Sequence, residues 1–340
     1  MIGSLTDAVN LASKVTVSRA LNNARILGSY QLSRMGGRAE ISGLPVSVSI
    51  EPTTSCNLRC PECPSGLRSF TRSTGMLDPT LFTDVINQLS STLSYLTFYF
   101  QGEPYLNSKF LEMVRFAAAK KIYTATSTNG HYLKDDVARE TVASGLDRLI
   151  ISIDGTTQET YEAYRIGGQL DKVLEGTRNI IRWKREMKSK TPHVAFQFLV
   201  VGPNEHQIPD IYKLAREVGV DQVLLKTAQI YDYEQGSDLI PTIDKYSRYK
   251  KNRDGKYAIK SELLNHCWKM WHSCVITWDG NVLPCCFDKD AHYVMGNVRE
   301  KKFDSIWFGE KYRDFRQSLV AARNEIEMCK NCTEGTKVWA

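Results

Sequence analysis

No stretch of this 340-residue chain approaches the roughly eighteen consecutive apolar residues that a membrane-spanning helix requires. The N-terminus likewise lacks the continuous apolar run of an export signal, so the sequence favours a cytoplasmic protein. These absences change the meaning of the nine cysteines. In a secreted chain they would read as disulfides; an odd number in short-spaced clusters reads better as reduced thiols that bind metal in a compartment low in oxygen. Also missing is any fourth cysteine or histidine within ten residues of Cys56, Cys60 and Cys63. Closed zinc sites want four ligands, commonly as two C-x2-C pairs, so zinc fits this triplet poorly.

What is present can bury a large core: 42% of the residues are apolar, enough for one sizeable domain and a smaller second one. The net charge is +6, and Lys245, Arg248, Lys250, Lys251, Arg253 and Lys256 interleave with Tyr246, Tyr249 and Tyr257. Base stacking is conceivable there. No nucleic-acid-binding motif accompanies the run, so a solvated connecting loop is expected and no nucleic-acid partner.

From residue 46 onward, strand and helix patterns alternate. Apolar and β-branched runs predict strands at Val46–Ile50, Tyr95–Phe100, Tyr123–Ser127, Arg148–Ile153, Val194–Val201 and Gln222–Lys226. Between them lie helical patterns at Asp78–Ser90, Lys109–Lys120, Lys134–Ser144, Leu170–Lys188 and Glu205–Val218, with Asp78-Pro79 as N-cap and N1 and with Gly145 and Gly219 at C-cap positions. Six strands joined by helical crossovers predict an α/β fold with a parallel sheet, and six repeats are too few for the eight-unit barrel. An open, partial (β/α)6 TIM-like barrel is expected. Residues Leu5 to Arg34 read as one or two amphipathic helices, with Leu11, Val15, Leu21, Ile26, Leu27 and Tyr30 apolar and Lys14, Arg19, Arg25 and Arg34 basic. A helix packed across the barrel is the main reading; peripheral contact with a membrane surface or a partner is the other.

The triplet Cys56, Cys60 and Cys63 has the spacing C-x3-C-x2-C and follows the first strand. Three thiolates so placed can grip three irons of a 4Fe-4S cube and leave the fourth open. The segment resembles the signature of the radical S-adenosylmethionine (radical SAM) superfamily, although Glu62 stands where an aromatic residue is commonest. The resemblance implies that the open iron chelates SAM, and that one electron splits SAM into methionine and a 5'-deoxyadenosyl radical that abstracts hydrogen from substrate. A reducing partner such as flavodoxin or ferredoxin is implied with it.

The remaining strand ends fit the same family. Gln101, Gly102 and Glu103 resemble its Gly-Gly-Glu-Pro motif, with Glu103 implied to bind the SAM amino group. Thr128 and Asn129 match a Thr-Asn-Gly motif, Ser152 is implied to face the SAM ribose or carboxylate, and Arg165 is implied to pair with that carboxylate as a bidentate fork. Val201 and Asn204 fall at the expected adenine and ribose site.

The last quarter holds Cys267, Cys274, Cys285, Cys286, Cys329 and Cys332 around a hairpin turn at Thr277–Val282, with a helical stretch from Ser305 to Ala322. It resembles the SPASM and Twitch domains of radical SAM enzymes that modify peptides or dehydrogenate small molecules, a small α+β appendage. Six cysteines cannot close two 4Fe-4S clusters, so one auxiliary cluster is expected on Cys267, Cys285, Cys329 and Cys332; Cys286 is an alternative to Cys285, and Cys274 a spare. Structural zinc is the competing reading. The expected organisation is a helical segment (1–42), the SAM barrel (43–230), a basic connection (231–266) and the auxiliary domain (267–340). Two substrate classes stand nearly level: a peptide undergoing maturation, and a sugar-like or other small metabolite undergoing oxidation or rearrangement. A non-catalytic iron or zinc protein is the alternative. By position, His272, Asp288, Asp290 and Lys226 are candidates for a general base.

Overall fold

The structure, a computed structural model, describes residues 2–333. Two helices come first, α1 (Ile2–Ser13) and α2 (Val17–Gly36), and the chain then alternates. The order is β1 (Ser47–Ile50), α3 (Pro64–Leu67), α4 (Pro79–Leu89), β2 (Tyr95–Thr97), α5 (Phe110–Ala119), β3 (Tyr123–Thr128), α6 (Asp135–Ala143), β4 (Arg148–Ser152), α7 (Gln158–Tyr164), α8 (Leu170–Glu186), β5 (His193–Val200), α9 (Ile208–Val218) and β6 (Gln222–Thr227). β1 to β6 are hydrogen-bonded in chain order and all parallel. Parallel strands must be covered on both faces, and the residues oblige: Leu149, Ile151, Val194, Phe196 and Phe198 are fully buried on one face, and Ile150 and Ala195 are buried on the other. Those of the first face share one apolar cluster with Phe82, Val85 and Ile86 of α4 and with Val173 and Ile180 of α8.

Each predicted strand and crossover helix is found, shifted by a few residues at its ends. The strand at 95 is shorter than expected, because the chain turns away after Thr97 toward the site. The short helix α7 was not anticipated. The basic connection is also more than a loop: β7 (Tyr249–Lys251) and β8 (Tyr257–Ile259) form an antiparallel hairpin. Lys250 and Lys251 of the hairpin are exposed, but Tyr249 is buried and its hydroxyl accepts from the Ile230 amide at 2.8 Å.

The last quarter adds α10 (Trp268–His272), β9 (Ser273–Ile276), β10 (Asn281–Leu283), β11 (Gly296–Asn297), α11 (Phe303–Trp307), α12 (Glu310–Ala322) and α13 (Glu327–Lys330). Gly280, at φ +94°, makes the turn between β9 and β10. β9 pairs parallel with β1, Ser47 opposite Ser273, so the C-terminal hairpin continues the barrel sheet into a nine-stranded whole. Residues 334–340 of the expected last segment lie outside the described residues.

α2 is fastened at the base of the barrel by Arg19, which is almost wholly buried. Its guanidinium donates to the carbonyls of Lys14 (2.7 Å), Ser90 (2.9 Å), Lys120 (3.0 Å) and Lys121. Ser90 and Lys120 are the C-caps of α4 and α5, where orphan carbonyls and the negative end of the helix dipole favour a cation. The helical segment is therefore packed, as expected, on this side.

Candidate active site

The C-terminal ends of β1 to β4 converge on one cavity of about 270 Å³. Its wall includes Cys56, Cys60 and Cys63, then Gln101, Gly102 and Glu103, then Thr128 and Asn129, Ser152 and Arg165. Ten of the sequence-predicted residues are thus brought together. Val201 and Asn204 are not. Val201 is buried in a small apolar cluster with Leu58 and Cys60 that backs the cysteine loop. Asn204 spends its amide on backbone, accepting from the Val201 N–H at 2.8 Å and donating to the Asp154 and Leu199 carbonyls at 3.0 and 2.8 Å.

Close backbone contacts hold the cysteine loop in place. Gly66 packs so tightly that a Cβ would lie 2.6 Å from the Cys60 nitrogen. Gly102 takes φ +74°, a conformation that suits glycine, and a Cβ there would meet the Thr53 carbonyl at 2.2 Å. Its N–H donates to the Ser65 hydroxyl (2.9 Å), and the Glu103 N–H to the Ser55 carbonyl (2.8 Å), so the loops after β1 and β2 are tied together. Gly102→Ala should combine a strained dihedral with a backbone clash, about 2 to 4 kcal/mol. A lower denaturation midpoint and loss of SAM binding are the measurable outcomes, and an unchanged midpoint would contradict this packing.

Glu62, out of place for an aromatic position, has work here: its carboxylate accepts from the Tyr231 N–H at 2.9 Å and ties the loop to the segment after β6. Asn129 bridges from the third strand, its amide donating to Asn57 Oδ1 (2.7 Å) and lying 3.9 Å from the Cys56 sulfur. Arg165 is paired with Asp154 at 2.5 Å, and its Nη1 lies 3.8 Å from the Cys60 sulfur. Glu103 is buried and accepts from the Thr128 hydroxyl (2.7 Å) and the Asn129 (2.8 Å) and Tyr105 (3.3 Å) amides. Burial pushes Glu103 up to about 7, against the lowering effect of those hydrogen bonds. Burial likewise pushes the Cys56 thiol up to about 11.

A second cavity of about 840 Å³ abuts the first, sharing Pro64 and Lys289. It is lined by Tyr231, Tyr233, Phe287 and Tyr293, with Asp232, Glu234, Glu327 and Lys330 among its charged groups. Its volume is that of an ordinary small-molecule site. Sequence reasoning missed Lys289, which sits in a loop with no motif to mark it. Of the candidate bases, Asp288 is spent on the His292 and Tyr293 amides (2.8 and 2.9 Å), and Asp290 on the Thr71 and Arg72 amides (2.8 and 3.2 Å). Lys226 is exposed on β6, and His272 stacks on Trp268; neither lines these two cavities.

Three of the six C-terminal cysteines, Cys267, Cys329 and Cys332, face a buried cation. Arg323 Nη2 lies 3.5 Å from the Cys332 sulfur, while Nη1 donates to the His266 carbonyl at 2.9 Å. Burial alone would lower its guanidinium pKa, but the facing Cys267, Cys332 and Cys329 thiols more than offset this and raise it. Cys285 is hydrogen-bonded to Cys286 and within electrostatic range of Cys267. Cys274 lies apart on β9, fully buried in the sheet opposite Val48.

Residues 50–215 match the Radical SAM superfamily, and residues 267–333 match an iron-sulfur cluster-binding domain, SPASM. The chain belongs to the radical SAM superfamily. Among its relatives is the tungsten-containing aldehyde ferredoxin oxidoreductase cofactor-modifying protein of Pyrococcus furiosus, 27% identical over 84% of this chain and 86% of that one. The S-adenosyl-L-methionine-dependent 2-deoxy-scyllo-inosamine dehydrogenase of Niallia circulans is 25% identical, over 84% and 91% of the two chains. The structure of Streptococcus suis SuiB bound to precursor peptide SuiA shares the fold, with a TM-score of 0.62 at 13% identity over 84% of this chain and 69% of that one.

This radical SAM enzyme accordingly takes SAM and a 4Fe-4S cluster in its barrel, and an auxiliary iron-sulfur cluster in its C-terminal domain. The residues present fit those groups. In the barrel cavity, three thiols stand beside Gln101, whose buried carbonyl oxygen has no hydrogen-bond partner among the described residues and is free to accept from a ligand. In the C-terminal domain, the donor set is thiol throughout, which suits iron-sulfur ligation.

Proposed function

We propose that Cys56, Cys60 and Cys63 hold the SAM-cleaving cluster, and that Glu103 and Arg165 take the ammonium and carboxylate of SAM. The substrate, a peptide segment or a sugar-like metabolite, occupies the adjoining 840 Å³ cleft. When bound, the barrel cluster supplies the single electron that cleaves SAM. The observation that carries this reading is the one cavity into which strand ends deliver three cysteines and a buried carboxylate, and the C-cap of α7 a guanidinium. Arg165 keeps donors beyond its Asp154 pair, and the guanidinium fork suits a carboxylate. A relative named as a 2-deoxy-scyllo-inosamine dehydrogenase and a neighbour bound to a precursor peptide support the two substrate classes. A cytoplasmic location and a flavodoxin or ferredoxin as electron donor belong to the same proposal.

The direct test is anaerobic reconstitution with iron and sulfide, reduction with dithionite, and addition of SAM. Formation of 5'-deoxyadenosine and methionine is expected. Intact SAM in a protein carrying about eight irons would overturn the reading, and a scaffold role for the cysteines would then stand.

Glu103 gives the binding step a pH dependence. Its folded pKa lies above the ordinary glutamate value, so the folded chain holds the proton more tightly than the unfolded one. Its contribution to stability is present below the ordinary value and is lost as pH rises through about 7. Binding runs the other way. The SAM ammonium requires the ionised carboxylate, so affinity should strengthen as pH rises, and be weaker by about tenfold near pH 6 than near pH 8. Calorimetric titration of SAM into the loaded protein measures it; Glu103→Gln should flatten the profile, and a flat wild-type profile would remove Glu103 from the ammonium site.

A further inference from the structure

α2 carries apolar side chains on both of its faces. Its inward face is mixed: Ile26 and Tyr30 join the main apolar cluster, and Arg19, Asn22, Ser29 and Ser33 are buried beside them on hydrogen bonds. Asn22, for example, exchanges bonds of 2.8 Å with both the N–H and the carbonyl of Leu44, and Ser33 Oγ donates to the Glu40 carbonyl at 2.9 Å. Its outward face is apolar: Val17 is 78% exposed, Leu21 57%, Leu32 63% and Met35 80%. With Ala24 and Gly28, these positions follow the helical spacing of a single stripe. A Cβ built on Gly28 meets nothing within 4 Å. On α1, Leu5 and Val9 are also more than half exposed, at a cavity they share with Asp147, Lys184 and Asp221. A surface helix in water places its polar side outward, so this exposed apolar stripe marks a face that is not meant for water.

The charge around the stripe says what covers it. No acidic residue occurs between Asp7 and Glu40, and Arg25 and Arg34 of that stretch are exposed, while Arg38 pairs with exposed Glu40 at 3.4 Å. Lys120 and Lys121 are also exposed at the base of the barrel, near the start of α2, where their carbonyls are held by Arg19. A second copy of the chain seated on this face would bring two sets of Arg25 and Arg34 together, with no acidic residue on α2 to offset them. An anionic lipid surface answers both features, taking the apolar stripe at the acyl boundary and the cations among its headgroups. Among the described residues no helix is long and apolar enough to cross a membrane, so the helix would lie in the interface plane. We propose that α2, with α1, is a peripheral docking surface for anionic membranes. The strand ends that form the site lie at the other end of the barrel, clear of the bilayer.

The test is flotation of the full, cluster-loaded protein with vesicles of pure phosphatidylcholine or of phosphatidylcholine mixed with phosphatidylglycerol. Expected is binding to the phosphatidylglycerol vesicles that weakens with added salt. Leu21→Glu with Leu32→Glu should weaken it by about tenfold or more, and Arg25→Gln with Arg34→Gln should abolish the preference for anionic lipid. All four positions are exposed, so iron content and circular dichroism should not change, and they report that the fold is intact. Wild-type protein that stays unbound with anionic vesicles would overturn the proposal. So would a dimer in light scattering that the Leu21→Glu, Leu32→Glu variant dissociates, because the face would then belong to a second copy.

Discussion

Replacing Cys56, Cys60 and Cys63 together by alanine should abolish formation of 5'-deoxyadenosine and remove about four irons per chain, leaving the C-terminal complement in place. The expectation rests on the separation of the two thiol sets. The first lies at the strand ends among Gln101, Glu103 and Arg165, and the second lies around Arg323 beyond β9 and α10. The triple variant should still fold, since the loop is also held by the Glu62 bond to Tyr231 and by the bidentate pairing of Arg72 with buried Glu51 at 2.6 and 2.9 Å. Iron analysis, anaerobic SAM turnover and circular dichroism separate the outcomes. Retained 5'-deoxyadenosine in a folded, iron-depleted variant would refute the assignment of the triplet.

Much of this site was legible because each motif sits where a strand runs out, and strands are marked by runs such as Ile150-Ile151 and Val194–Val201 that only a two-faced core can accommodate. What stayed hidden is instructive. Asn204 reads as a ligand by its place after β5, but sequence cannot say which way an amide turns, and here it satisfies three backbone groups. The seven residues of α7 are too few and too polar to show a periodicity. The pairing of β9 with β1 joins opposite ends of the chain, and no local pattern encodes a partner so far away. Through it, one sheet and one apolar cluster that includes both Val48 and Cys274 run across residue 267, where the SPASM match begins. Lys289 was equally invisible: its importance is a position between two cavities, a property of the fold alone.

Changing Cys329 and Cys332 to alanine should leave SAM cleavage running while substrate conversion falls to little or nothing. Four thiols, Cys267, Cys285, Cys329 and Cys332, can close the coordination of one cluster, and a closed cluster offers no vacancy to substrate, so its role would be to carry electrons. Arg323 sharpens the expectation. Its guanidinium is buried against Cys332 with Cys267 and Cys329 facing it, and loss of two of those thiols leaves a buried cation short of counter-charge. The double variant should therefore be less stable as well as poorer in iron, with a lower unfolding midpoint, since metal ligation contributes to folding in such domains. Activity should be judged only in the folded fraction, where 5'-deoxyadenosine should form in excess over product. Equal amounts of the two, at the wild-type rate, would show that the C-terminal cluster does not carry electrons in this reaction.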